Sequence, residues 1–462
     1  MKKLLLLVFG LTISSLPLFS QTLTPEQVQE DLKVFRESLE AFHPELDRYQ
    51  TREEFLQQLN ALESSVKQPL LQQEFYQKML PILANIKDGH LKWIVQGKDQ
   101  YYPFFEEQLF PIQVHVDREK VLVLRNIGTE SVPAFAKITS INGLPIQEVV
   151  ATLLANSTFA DGDSEGGKYF QLNRYFAALY ANHFGASASY AIGLEIDGKH
   201  SILEVKGVNK DQIESTFPPE KVPFSFEIKE EKIAVMKIHR FFTYKGEPDF
   251  KRFLKESFAK IQAQGIQKLV LDLRGNEGGN EKLGIELYRY LAKEPFVYYG
   301  EVTTRPNQKL PFDTYTSLLF RLANSFSKKQ SEKSQFRFAP SGVTKPYSNA
   351  FQGEVMVLVD GQTFSVATEF ASRVKADGRA KFIGEETAGG AALNSSGFFT
   401  IVTLPHSKID LGIPRLGFHM AKLPNEMDPR RGIIPDLKAG LTAEDKISGK
   451  DSVMQLAIDL MK

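Results

Sequence analysis

Two short stretches, more than 80 positions apart, constrain this chain most. Asp272-Leu-Arg-Gly-Asn-Glu-Gly-Gly279 follows the apolar run Lys268-Leu-Val-Leu271, and Gly361-Gln-Thr-Phe-Ser-Val-Ala-Thr-Glu369 follows Val355-Met-Val-Leu-Val-Asp360. Each reads as a buried strand that ends in a loop and opens a helix. Such a junction leaves backbone N–H groups unspent and holds one side chain at a sharp turn. The first loop offers Gly278 and Gly279, whose missing side chains let the backbone approach an oxyanion. The second offers Ser365 as a nucleophile, with the Val366 N–H beside it as a second donor. Together they suggest acyl transfer. Serine is also a favoured helix cap, so a purely structural role for Ser365 is the competing interpretation. Asp272 and Arg274 read as braces of the first loop, and Glu369 as a supporting helix residue.

The surrounding chain sets a context for these loops. Residues 223–462 alternate strands (Ile233–Ile238, Lys268–Leu273, Glu354–Val359, Phe382–Gly384) with helices (248–264, 280–292, 365–376), the pattern of a mostly parallel α/β sheet. Residues 21–98 read as helical, with Thr24-Pro25 as a start signal and apolar positions at Val28, Leu32, Phe35, Leu39 and Phe42. Residues 99–222 are β-rich, with an Asn142-Gly143 turn. Residues 305–350, rich in Ser, Lys, Gln and Pro, read as an excursion from the core.

Residues 1–20 have a basic start, a short apolar run over 4–13 and a polar end before Gln21, and read as a secretory signal. The expected protein is therefore exported, periplasmic or secreted, with no integral membrane segment once the signal is cleaved. Removing Lys2 and Lys3 leaves 54 basic against 56 acidic residues, which does not favour a nucleic-acid partner. With no cysteine, thiolate catalysis and cysteine metal sites are excluded. No His-Glu-x-x-His or P-loop signature occurs, and no metal or cofactor is expected.

Four motifs in order resemble the tail-specific (C-terminal-processing) serine peptidases, including the tricorn core. They are Asp272–Gly279, Thr363–Phe370, Gly378–Thr387 and Gly432-Ile-Ile-Pro-Asp436, with Asp88-Gly-His90 and Ile138–Gly143 as weaker matches. The resemblance implies a crotonase- or ClpP-like catalytic core, a helical N-terminal region and a PDZ-like β-rich module. One branch of that family has a general-base lysine in a Gly-Lys-Gly loop. Here the matching loop is Gly384-Glu-Glu-Thr-Ala-Gly-Gly-Ala391, with glycine at that place. The resemblance then implies the tricorn-like arrangement: Ser365 as nucleophile, His90 as general base and an acid before Gly432, with Asp428 favoured over Glu426. The implied substrate is a peptide or unfolded protein. Two other readings stay open, a non-catalytic binding protein on the same scaffold and a hydrolase of a non-peptide acyl substrate.

Overall fold

A computed structural model describes residues 21–219, 222–230, 232–330 and 332–462; the expected signal over 1–20 lies outside the described residues. At its centre is a six-stranded sheet in the order Phe224–Ile228, Ile233–Ile238, Lys268–Asp272, Glu354–Val359, Lys381–Gly384, Leu437–Lys438. The first pair is antiparallel and the rest are parallel. Both faces are covered, as a parallel sheet requires. Alternation within one strand shows how. Ala234 and Met236 join a core with Phe250, Leu254 and Phe370 from the flanking helices, while Ile233 and Val235 join one with Val453, Met454 and Ile458 of the C-terminal helix.

Three crossover helices lie on the first face: Phe250–Ala263, Glu281–Arg289 and Val366–Ala376. The last two directly follow the glycine-rich loop and the Ser365 loop. Strands Lys268–Asp272 and Glu354–Val359 are direct parallel neighbours in register. Their C-terminal ends, and so the two loops, therefore emerge side by side, the usual location of sites in open α/β sheets.

A second, largely antiparallel sheet was not evident in the sequence. A long hairpin, Leu393–Thr403 with Ile409–Met420, dominates it. Both strands carry glycines (Gly397, Gly412, Gly417) and one carries Pro414, so neither shows the apolar run by which the central strands declare themselves. Lys92–Val95, just after His90, pairs with Ile409–Gly412 and carries the N-terminal region onto this sheet. Helices Pro25–Phe42, Arg52–Ser65 and Gln72–Ile86 form one core with Trp93, Leu404 and Leu411. The first two begin with capping boxes at Thr24 and Thr51, which satisfy the orphan N–H groups of their first turns.

The β-rich region forms a third sheet in the order Ile112–Val116, Val121–Asn126, Lys137–Ile141, Ser189–Ile196, Lys199–Lys206, with Leu144–Pro145 beside the third strand. Its core is its own and is completed by helices Ile146–Ala155 and Gly166–Phe184. The second of these helices went unread because Tyr, Phe and Asn dilute its apolar period.

Candidate active site

The Ser365 loop is held in a conformation that side chains rarely adopt. Ser365 has φ 52° and ψ −130°, outside the ordinary wells for a residue with a side chain. It sits at the N-cap position of Val366–Ala376, yet its side chain makes no capping hydrogen bond. The capping interpretation therefore lacks the contact that defines it. Instead Ser365, though only 8 % exposed, lines a cleft of about 640 Å³ together with His90, Val366, Gly278 and Gly279. A second cleft, along Tyr288 and Phe296, holds none of the candidate residues.

Side chains from the two loops stitch them together. Asp360 accepts the Gly275 N–H through both oxygens, at 3.0 and 3.1 Å. Phe364 N–H donates to the Asn276 carbonyl at 3.0 Å, and Asn276 Nδ2 donates to the Ile238 carbonyl at 2.8 Å. Arg274 forks onto Asp272 and Asp451, the bracing role read from the sequence. Gly278 has φ 101°, and a Cβ there would lie 2.7 Å from Ser365 Cβ. Only glycine fits that place.

The donors differ in availability. Gly278 N–H is already spent on Asn276 Oδ1, at 2.8 Å. It therefore shapes the loop and is not free to donate to a ligand, a correction to its expected part. The N–H groups of Gly279 and Val366 find no acceptor among the described residues.

His90 comes to the same cleft from the N-terminal region, on the turn between helix Gln72–Ile86 and strand Lys92–Val95. Its ring stacks on Phe364, with centroids 4.3 Å apart, one residue before Ser365. The two side chains share the cleft without a direct hydrogen bond, and His90 Nδ1 is buried with no partner among the described residues. Burial pushes the imidazole down to about 3, while Asp88 pulls the other way, so His90 is neutral at ordinary pH.

The acid is where the sequence misled. Asp428 is exposed and its Oδ1 accepts the Arg430 N–H at 2.8 Å; Glu426 is exposed too. The carboxylates around His90 are instead Asp88 and Asp161, both buried, and side-chain N or O atoms of all three residues lie within 4.8 Å of one another. Asp88 Oδ1 accepts the His90 backbone N–H at 2.9 Å, and its Oδ2 faces His43 Nε2 at 2.9 Å. His43 Nδ1 accepts the Glu45 N–H, at 3.1 Å, so the His43 proton belongs on Nε2, toward Asp88. Burial alone would raise Asp88, but the interaction with His43 Nε2 holds its carboxyl below the ordinary range. Asp161 accepts N–H groups of Gly89 (2.9 Å) and Gly390 (3.0 Å), tying the histidine turn to the loop behind Ser365; burial and the facing Asp88 push it up.

Glu369, one turn beyond Ser365, lines the cleft and accepts hydrogen bonds from Tyr299 and Asn394. Burial pushes it up to about 7. Lys375, a conceivable alternative base, is paired with Asp436 at 2.9 Å and does not line the cleft.

The doubly covered sheet and the N-terminal region thus bring a strained serine and a buried histidine to one cleft. Residues 232–438 match the model of peptidase family S41. All four motifs that resemble the tail-specific proteases lie within that stretch, which supports a serine-type peptidase. It is 26% identical over 211 residues to a carboxyl-terminal-processing protease of Picosynechococcus sp., a match covering 44% of this chain and 41% of that relative. Among solved structures it resembles mature CPAF, with a TM-score of 0.63 at 15% identity, covering 94% of this chain and 96% of that one. Mature CPAF complexed with lactacystin gives a TM-score of 0.60 at 13% identity, covering 94% and 97%. At that identity the likeness establishes the shared fold.

Proposed function

We propose that this chain is an exported serine endopeptidase that cuts peptide bonds through an acyl-enzyme on Ser365. The observation that carries the proposal is the state of Ser365. It is held at φ 52°, caps nothing, and faces His90 across one cleft beside two unspent N–H groups. In this mechanism His90 takes the Ser365 proton as Oγ bonds to the scissile carbonyl carbon. Gly279 and Val366 N–H groups hold the oxyanion, a role worth about 10²–10³ in rate per donor. Collapse breaks the C–N bond, and the amine leaves with the proton carried by His90. Water then attacks the ester, passing one proton to His90 and from there back to Ser365 as the acid product departs.

Asp88 takes the role first given to Asp428. It is buried beside His90 and kept anionic by His43, so it stabilises the imidazolium that forms during attack. The central sheet corresponds in this reading to a crotonase- or ClpP-like core. The antiparallel module over residues 112–206 would act as a PDZ-like capture site for peptide ends, with strand addition at an edge such as Lys199–Lys206.

The test is turnover of an unfolded protein substrate by the wild-type chain and by Ser365→Ala. Cleavage by the wild type, lost by about 10⁴-fold or more in the variant, supports the mechanism. A binding protein on this scaffold would retain the peptide uncut in both. A non-peptide hydrolase would turn over a small ester in the wild type and leave peptides whole.

A further inference from the structure

The excursion over residues 305–350 has a surface unlike the rest of the molecule. It holds eight basic and two acidic residues in a chain whose totals are 56 and 56. Helix Leu318–Ser325 sits there with its polarity reversed. Phe320 and Asn324 face inward, while Leu318, Leu319, Leu322 and then Phe326 face solvent, with Leu319 69 % and Phe326 63 % exposed. Spacings of four among 318, 322 and 326 align these residues in one stripe. Phe338, 61 % exposed, extends it, its ring 6.4 Å from that of Phe326.

Cations flank the stripe. Arg321 lies on the helix, Lys328 and Lys329 follow Phe326 on a short edge strand, and Arg337 precedes Phe338. All four are exposed, and none is in an ion pair among the described residues. The two nearby acids do not offset them. Glu332 pairs with Arg305 at 3.4 Å, and Asp313 is in no ion pair with these cations among the described residues.

We propose that this face docks the protein on an anionic lipid bilayer. Leucines and aromatic rings on a short helix, ringed by Lys and Arg, are the chemistry of an interfacial membrane anchor: the apolar side chains enter the headgroup boundary and the cations meet lipid phosphates. Charge argues against a second copy as the occupant, because a two-fold pairing of this face would set its cations against their own copies. The placement also bears on the proposed peptidase activity. Phe320, on the inner side of the helix, packs on Phe398 at 4.9 Å, and the adjoining Gly397 and Phe399 line the Ser365 cleft. Docking would hold that cleft close to the bilayer surface.

The experiment is co-sedimentation of the chain from Gln21 onward, free of the apolar residues 4–13, with vesicles of phosphatidylglycerol and phosphatidylcholine or of phosphatidylcholine alone. Binding is expected to the anionic vesicles and to fall steeply with salt. Each basic residue near an anionic surface multiplies partitioning by about five, so Lys328→Glu with Lys329→Glu is expected to weaken it by more than about 25-fold. Leu319→Ser with Leu322→Ser removes exposed groups only and should weaken it by at least about ten-fold with the circular-dichroism spectrum unchanged. Equal binding to both vesicle types, no binding to either, or variants that bind like the wild type would overturn the proposal. So would a concentration-dependent dimer, lost in Leu319→Ser with Leu322→Ser, in a protein that ignores vesicles. Each readout is independent of peptide cleavage, so an inactive enzyme that docks leaves this inference standing.

Discussion

The serine loop and the histidine turn reach one cleft by different physical routes. Ser365 is placed by backbone topology: two parallel strands in register end together, and short loops bonded through Asp360 and Asn276 fix the turn. His90 is placed by buried side chains remote in sequence. Asp161 lies 72 positions from the Gly89 it holds and 229 from Gly390, and His43 braces Asp88 from the end of another helix. A local motif can announce the first arrangement. The second exists only in the folded chain, and its polar groups are buried, so losing one leaves another unpaired at a cost of about 1–3 kcal/mol.

The comparison predicts which changes affect chemistry and which affect structure. The largest expected effect after Ser365→Ala belongs to Asp88→Asn. Turnover should fall by about 10²–10⁴-fold with little change in KM, since the group acts on the imidazolium formed in the transition state. Asp428→Asn should stay within about twofold of wild type, because an exposed loop carboxylate away from such features contributes little. Steady-state kinetics on both variants would reverse the assignment if their effects were exchanged.

Gly278→Ala tests the topological half. A Cβ 2.7 Å from Ser365 Cβ, at φ 101°, should cost about 1–3 kcal/mol of stability by denaturant unfolding and lower turnover as well. An unchanged midpoint would mean that the loops are not locked as described.

A pH dependence of stability, with no part in the chemistry, follows from Glu369. Glu369 has a folded-state value of about 7 against an ordinary 4.5, so between those values the folded protein holds a proton that the unfolded chain has released. Its contribution is thus fully present below the ordinary carboxylate range and is lost as pH rises through 7, a change of about 3 kcal/mol. Glu369→Gln should remove that slope, seen as unfolding midpoints that converge between about pH 5 and about pH 8.

Much of this was readable before the structure. The central strands, their order of loops and helices, Ser365 and the Asp88-Gly-His90 turn all lie in local patterns that survive without tertiary context. What escaped depends on distant pairing. The hairpin Leu393–Met420 hides behind its glycines and proline, and Asp161 looks like any loop acid until Gly89 and Gly390 fold onto it. Asp428 lies close to the Gly432–Asp436 motif, but nearness along the chain does not turn a side chain inward, and Asp428 is exposed. The cationic face over 305–350 was masked by a whole-chain charge balance that averages it away.

The central claim is that Ser365 is a nucleophile activated by His90, and labelling with a fluorophosphonate probe followed by peptide mass spectrometry tests it most directly. The account predicts one adduct, on Ser365, absent in Ser365→Ala and formed about 10²-fold or more slowly in His90→Ala. An adduct on another serine, or labelling of His90→Ala at the wild-type rate, would contradict it.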